Sequence, residues 1–386
     1  MRILVVHNYY QHKGGEDVVF QQEVEALKKV HTVETITYQN QKGLKGLKQF
    51  ASYPWNATAA NQIVQKAKDF EADIVHFHNT HYAIGPLAFR KLHQAGFKTV
   101  QTLHNYRLLD PSATLFVNGE IFLDTLEEKF PWKSIKLKTL DNSLLKTFWV
   151  AFAYYIHHKL GTWKQINRFL VFSNFMKGLM LKSSKNLQES QIAIKVNAIE
   201  HPAIPSFARS SNFVYIGRLS IEKGIQTLLE AFKNSPQYVL EIYGDGPIAE
   251  EVMEVASSYS NIQYKCFQQK ETLNKALATS QALIVPSIWF EGMPMTVLEA
   301  YALGTPVISS KIGALEEMII DEETGLHFTA GNAESLAHTI DKFASLPQEI
   351  KQKWNDNCLT EYRSKYQLAE NIKSLVAIYK EILQDK

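Results

Sequence analysis

Two glutamates, Glu291 and Glu299, stand eight positions apart in the stretch Pro286-Ser287-Ile288-Trp289-Phe290-Glu291-Gly292-Met293-Pro294-Met295-Thr296-Val297-Leu298-Glu299. Carboxylates are pure hydrogen-bond acceptors when ionised, so they suit ligands rich in hydroxyls. Pro294 suits the first turn of a helix, where its missing N–H would be unpaired anyway. At a rise of about 1.5 Å per residue, Glu299 then lies only about 7 Å along that helix, and both carboxylates can reach one ligand. One can hold sugar hydroxyls and the other ribose hydroxyls, with Gly292, Met293 and Pro294 bringing backbone close between them. The free N–H groups of a helix start suit anionic oxygen. Some 70 residues earlier, Tyr215-Ile216-Gly217-Arg218-Leu219-Ser220-Ile221-Glu222-Lys223-Gly224 delivers two cations to one loop after an apolar run. A guanidinium fork and a mobile ammonium together neutralise a diphosphate.

The first half of the chain adds weaker signals. Gly14-Gly15 opens a helix behind the first apolar run, which lets backbone approach a phosphate closely, though a plain strand-to-helix turn reads the same way. Val100-Gln101-Thr102-Leu103-His104-Asn105-Tyr106-Arg107 ends a strand on a histidine, and Ile74-Val75-His76-Phe77-His78-Asn79 clusters two more imidazoles. His76 and His78 alternate onto one face and can in principle hold a metal, but no acidic or cysteine ligand is near them in the sequence. His78, Asn79 and Arg107 are expected to line an acceptor side.

Positioning these residues requires parallel sheets. Short apolar runs (Ile3–Val6, Ile74–Phe77, Thr99–Leu103, Phe169–Val171) alternate with amphipathic segments, and a second series runs through Phe213–Ile216, Val239–Tyr243, Ile262–Tyr264, Ala282–Val285 and Val307–Ile308. That alternation predicts βαβ units. With 386 residues, two doubly wound domains are expected, residues 1–200 and 201–361, joined near His201-Pro202-Ala203-Ile204-Pro205. Residues 362–386 are expected to form a terminal helix packed back on the first domain. Ligands of such sheets bind at the carboxyl ends of strands, so the expected site is a cleft between facing domains.

Composition narrows the class further. Two cysteines, Cys266 and Cys358, far apart and outside any CxxC spacing, disfavour a disulfide framework or zinc site and suit a reducing cytoplasm. The longest apolar stretch, Thr147–Ile156, is about half of what a membrane span needs. Residues 1–200 carry 25 Lys+Arg against 16 Asp+Glu, and the remainder 16 against 23. A basic first half points to an anionic acceptor or phospholipid surface, or is simply solvated. Residues 132–168 interleave lysines with Trp132, Phe148, Trp149, Tyr154, Tyr155 and Trp163, as an interfacial helix or a buried helix with polar flanks would. No nucleic-acid reading motif is present.

Glu291 and Glu299, with the strand-loop cations before them, resemble the E-x7-E element of the retaining glycosyltransferases of family 4, and the resemblance covers nearly the whole chain. It implies the GT-B architecture of two facing Rossmann-like domains, and hexosyl transfer from a nucleotide diphosphate sugar to a glycan or lipid-linked acceptor in bacterial surface polysaccharide or glycolipid assembly. UDP is favoured by its frequency in that family, with GDP as the other donor nucleotide. Arg218 and Lys223 would bind the donor diphosphate, Glu291 the transferred sugar and Glu299 the ribose, while Gly14 and Gly15 would sit under the phosphates. His104 would stand at the sugar-transfer centre as a hydrogen-bonding or electrostatic group; a core histidine is the alternative. Relatives sharing Leu-His-Asn-Tyr-Arg-Leu-Leu often follow it with a cysteine segment, which this chain lacks, so the acceptor does not carry over. No Asp-x-Asp occurs, so a metal-bridged diphosphate is disfavoured and turnover without metal or cofactor is expected. A sugar-nucleotide epimerase or a non-catalytic binding protein are the competing readings.

Overall fold

The computed structural model describes residues 1–11, 14–204 and 207–384; Pro205 of the expected linker lies outside the described residues. The chain divides into two compact units, the first made of residues 1–117, 122–197 and 368 onward, the second of residues 118–121 and 198–367. In chain order the strands up to residue 194 are β1 (Arg2–Tyr9), β2 (Thr32–Gln39), β3 (Ile74–Phe77), β4 (Lys98–Thr102), the two-residue β5 (Phe116–Val117) and β6 (Glu120–Ile121), β7 (Arg168–Val171) and β8 (Ile192–Ile194).

The first unit holds a parallel six-stranded sheet in the order β2-β1-β3-β4-β7-β8. Ile3, Leu4, Val5 and Val6 of β1 are fully buried because helices must cover both faces of a parallel sheet. The chain reverses direction of winding between β1 and β3, and both strands deliver their carboxyl-terminal residues to that switch point. The terminal helix Leu368–Gln384 completes this unit, burying Ile372, Leu375, Tyr379 and Ile382. Each fully buried apolar side chain contributes about 1.5–3 kcal/mol.

The second unit continues with β9 (Phe213–Ile216), β10 (Leu240–Tyr243), β11 (Ile262–Tyr264), β12 (Ala282–Val285), β13 (Val307–Ser310) and β14 (Gly325–Phe328). They form a parallel sheet in the order β11-β10-β9-β12-β13-β14, the strand order of dinucleotide-binding sheets, with its switch point between β9 and β12. The first sheet has a different order, so the two units are doubly wound but not copies of one topology. Phe213, Leu228, Phe232, Ile242, Ile284, Leu336 and Phe343 anchor the second core.

Two expected boundaries shift. The first unit gives way at Asn197 and resumes at Leu368, while residues 198–200 and Tyr362–Gln367 stay with the second. Hydrogen bonding explains this: the Ile199 N–H donates to the Tyr366 carbonyl at 3.0 Å, the Tyr362 hydroxyl donates to the Ile199 carbonyl at 3.2 Å, and Ile199 bridges Gln367. Residues Tyr362–Tyr366 accordingly form a π-helical turn rather than the start of the terminal helix.

Candidate functional site

In the second unit the site residues gather at the carboxyl ends of β9, β10 and β12. Gly217 and Arg218 follow β9, and the Tyr215 hydroxyl donates to the Arg218 carbonyl at 2.8 Å. A Gly244-Asp245-Gly246 turn after β10 lies directly on this loop, with the Leu219 N–H donating to the Asp245 carbonyl at 2.9 Å. Gly244 has φ +148°, and a Cβ there would collide with the Gly217 carbonyl, so backbone packs on backbone. This turn belongs to the candidate site although it carries no charged pair to mark it in the sequence. Gly224 has φ +70° and sits so close to the Pro286 carbonyl that no other residue fits. It presses the Lys223 turn against the end of β12, where the Ile288 N–H donates to the Glu222 carbonyl at 3.0 Å.

That closeness brings Lys223 and Glu291 into one ion pair, Nζ lying 2.7 and 3.0 Å from the two carboxylate oxygens. The Ser287 hydroxyl donates to Oε1 at 2.5 Å, and Lys223 lies 5.4 Å from the Trp289 ring centroid. Glu291 is only 5% exposed. Burial alone would raise its carboxyl pKa, but the Lys223 ammonium and the hydrogen bonds from Lys223 and Ser287 outweigh it and hold the group below its usual value. The sequence assigns these two residues to different parts of a donor; the structure couples them. Arg218 is exposed.

Glu299 occupies the helix Met295–Ala302. Pro294 is not in its first turn: it is the extended N-cap residue (φ −68°, ψ 119°), and the helix begins one residue later. No side chain caps this helix start, whose N–H groups are oriented for an anion. Gly292 and Pro294 are half-buried and Met293 is 8% exposed. Glu299 pairs with Lys270 from the first turn of Lys270–Thr279, a cation with no local motif around it.

In the first unit, Gly14 is the N-cap of Gly15–Lys28, and its N–H donates to Asp17 Oδ2 at 3.0 Å. A Cβ on Gly14 would meet no described atom within 4 Å; Lys13 beside it lies outside the described residues. Asp17 Oδ1 also lies 2.8 Å from His7 Nε2, and burial pushes the His7 pKa down to about 4. Asn79 donates to the Asn8 carbonyl at 2.8 Å and to Glu16 at 2.9 Å. Burial, with Asp17 beside it, pushes the Glu16 carboxyl up to about 8.

His104 is half-buried at the end of β4, and its Nε2 lies 3.1 Å from His78 Nδ1. His78 is 2% exposed with both ring nitrogens engaged, the other 3.0 Å from Glu23 Oε1. His78 and Asn79 do border a 30 Å³ cavity with His104 and Arg107, but their polar groups are held inside the unit. Glu23 supplies an acidic partner from a distant part of the sequence: with His76 and His78 it offers ligand atoms within 4.8 Å of one another. The set is a poor cation site, because the Lys195 ammonium already sits on Glu23 Oε2 and His76 lies 2.7 Å from the Tyr379 hydroxyl.

Arg107 donates to the Pro111 carbonyl at 2.9 Å and reaches a second cavity of about 790 Å³, also lined by Tyr10, Lys42, Leu47, Tyr82 and Lys146. The helix Gly43–Ser52 on its rim buries no residue, leaving Leu44 86% and Leu47 63% exposed. The basic aromatic region packs inward for the most part: Trp163 is 2% exposed and Trp149 donates to the Phe50 carbonyl at 2.8 Å. Its exposed apolar residues are Trp132, Leu137, Leu144, Leu145 and Leu160. Among the described residues no helix is long and apolar enough to cross a membrane.

The chain is similar to several known proteins. Residues 198–359 fit the family model for glycosyl transferases group 1. The chain is 23% identical over 357 residues to a glycogen synthase of Thermodesulfovibrio yellowstonii, covering 83% of this chain and 71% of that one. It spans less than half the length of the next curated relatives it matches. Among solved structures, a glycosyltransferase from Rickettsia africae superposes with TM-score 0.71 at 17% identity over 100% of both chains. Anabaena HepE in complex with UDP gives 0.70 at 17% identity over 99% of this chain and 100% of the other. Both sheets thus have the fold of GT-B proteins, and residues 198–359 match the group 1 glycosyl transferase model, which supports a transferase enzyme.

Proposed function

We propose that this enzyme is a retaining, metal-independent transferase of the family 4 kind, which moves a sugar from a nucleotide diphosphate sugar to a glycan or lipid-linked acceptor. The observation that carries the reading is the Lys223–Glu291 pair, fixed by Ser287 at the switch point of the second sheet beside the exposed Arg218. A donor diphosphate would draw on Arg218, Lys223 and the uncapped start of Met295–Ala302, charges aimed at the departing phosphate oxygen. Glu291, ionised and immobile, would hold hydroxyls of the transferred sugar, and Glu299 those of the ribose. The bond from C1 to the phosphate oxygen breaks as the bond from the acceptor oxygen to C1 forms on the same face, and the acceptor proton passes to the departing oxygen. Such a front-face path needs no protein nucleophile.

UDP is the favoured nucleotide, since the similar Anabaena protein has been solved with UDP and with UDP-glucose. The 790 Å³ cavity, with Arg107, Lys42 and Lys146 in its lining and bare leucines at its rim, supports an amphiphilic acceptor with anionic character and a place at the inner membrane surface in surface polysaccharide or glycolipid assembly. The test is donor hydrolysis and thermal stabilisation across UDP-, GDP- and ADP-sugars in EDTA, with wild type, Glu291→Ala and Arg218→Ala compared. One donor should stabilise the wild type and be slowly hydrolysed, with both effects lost in the variants. Binding of no donor, or dependence on added metal, would overturn the proposal.

A further inference from the structure

The cavity of about 790 Å³ in the first unit has the volume of a small-molecule site, a class that runs to about 300–1,000 Å³. We propose that it binds its ligand through an anionic group, a carboxylate or phosphate carried on a sugar, for which Arg107 is the counter-ion. This rests on the reading of the cavity as the acceptor's place, and it adds which residue recognises the acceptor and by what chemistry.

The charges of the lining do not balance. Arg107 Nη1 donates to the Pro111 carbonyl at 2.9 Å, while its Nε–H is buried with no acceptor among the described residues. Burial works against the charge, and the groups that favour it are the hydroxyls of Tyr10, Tyr154, Tyr82 and Tyr53. Burial raises all four above their usual value, so they stay neutral and offer oxygens but no counter-charge. Glu16 also acts on Arg107, but burial, then Asp17, pushes its carboxyl up to about 8, and near pH 7 it is mostly protonated. Asp141, the acid that lines the cavity, is matched by Lys146 at 2.8 Å. Lys42, exposed on the same lining, forms no ion pair among the described residues.

A structural duty does not account for Arg107. Holding the Pro111 carbonyl takes one N–H group and no charge, and a neutral donor would serve as well. A buried cation without a partner is costly, and an anion in the cavity completes the pair. The planar guanidinium presents its N–H groups as a fork that matches the oxygens of carboxylate and phosphate. Tyr10 and Tyr82 add hydroxyl donors to the lining, and Phe50, Leu140 and Leu145 give the ligand an apolar wall. Arg107 stands three residues after His104, so their Cα atoms are at most about 11 Å apart, and both border the 30 Å³ cavity. An anion held at Arg107 therefore places the sugar that carries it beside the His104 segment.

The test is a titration of the arginine-labelled full chain with glucuronate, glucose 6-phosphate, inorganic phosphate and glucose. Nitrogen-15 NMR follows the Nε–H signal of Arg107, assigned through its own side chain, which separates this site from every other arginine. Glucuronate, glucose 6-phosphate or both should move that signal with a Kd of about 1–10 mM, and glucose should leave it in place. The tighter of the two anions tells carboxylate from phosphate. Calorimetry on Arg107→Gln should find that binding weakened about tenfold or more. No movement with either sugar anion, or equal movement with glucose, overturns the proposal in the wild type alone. Inorganic phosphate binding as tightly as glucose 6-phosphate, with glucuronate inactive, overturns the sugar-bearing ligand. A folded Arg107→Gln protein that binds the sugar anions as the wild type does overturns the assignment to Arg107. A chain that binds these anions at Arg107 but no nucleotide sugar keeps the anion site and loses the acceptor reading; one that binds a nucleotide sugar but neither anion does the reverse.

Discussion

Replacing Lys223 with methionine should destabilise the second unit in a way that depends on pH. The change removes the cationic partner of a carboxylate that is 5% exposed and leaves it neutral donors such as the Ser287 hydroxyl. Breaking a buried pair by removing one member costs about 3–5 kcal/mol, and the 24% exposure of the Lys223 side chain brings the expectation down to about 2–3 kcal/mol. For a unit of this size that is a fall of roughly 4–12 °C in melting temperature. In the wild type the Glu291 carboxyl titrates below its unfolded value of 4.5, so its stabilisation is present above that pH and is lost as pH falls through the lower folded value. In Lys223→Met the burial effect dominates, the carboxyl titrates above 4.5, and stability is lost as pH rises. Scanning calorimetry at pH 5 and pH 8 should therefore find the larger deficit at pH 8. Adding Glu291→Gln should recover most of it. A deficit equal at both pH values, or undiminished in the double variant, would refute the claim that the two charges sustain each other.

Glu299→Ala should raise the donor KM by about two- to fivefold with kcat nearly unchanged, as expected for uniform binding of a ribose, and steady-state kinetics would read it. Gly224→Ala forces a left-handed backbone and a Cβ against the Pro286 carbonyl, so a loss of about 2–4 kcal/mol and of donor-induced stabilisation is expected in thermal melts. Tyr379→Phe removes the hydroxyl 2.7 Å from His76 Nδ1, leaving Glu23 Oε1 at 3.3 Å, and should lower denaturant stability of the first unit by about 0.5–1.5 kcal/mol; an unchanged urea midpoint would count against it.

Much of the second unit was legible because its central strands are continuous apolar runs and its site residues lie in two short segments. Within the two six-stranded sheets, the strands without a marker in the sequence are Thr32–Gln39, Ile192–Ile194 and Gly325–Phe328, each at the edge of its sheet. An edge strand is open on one side, and the half-exposed alternation of Thr32–Gln39 lacks the apolar run that marks a central strand. Glu291 and Glu299 were visible by spacing, whereas Lys270, which pairs with Glu299, was not, since nothing in its own neighbourhood reports a contact made across the fold. The same holds for Glu23 and Lys195. The surface around Leu44 is another case: residues 132–168 stand out in the sequence by their aromatics, yet much of that content packs inward, and a short lysine-flanked helix elsewhere carries the most exposed leucine of the described residues.

The first unit is finished by a helix that is synthesised after the whole second unit. Residues 1–197 emerge first, but the apolar stripe Ile372, Leu375, Tyr379 and Ile382 arrives only after the whole second unit has been made. During synthesis the buried imidazole of His76 waits for its hydroxyl partner, and the face that the terminal helix covers stays open. The second unit, continuous from 198 to 367 apart from a four-residue excursion, faces no such delay. A stalled or prematurely terminated chain thus carries a folded second unit attached to an incomplete first one, a natural substrate for chaperones and proteases.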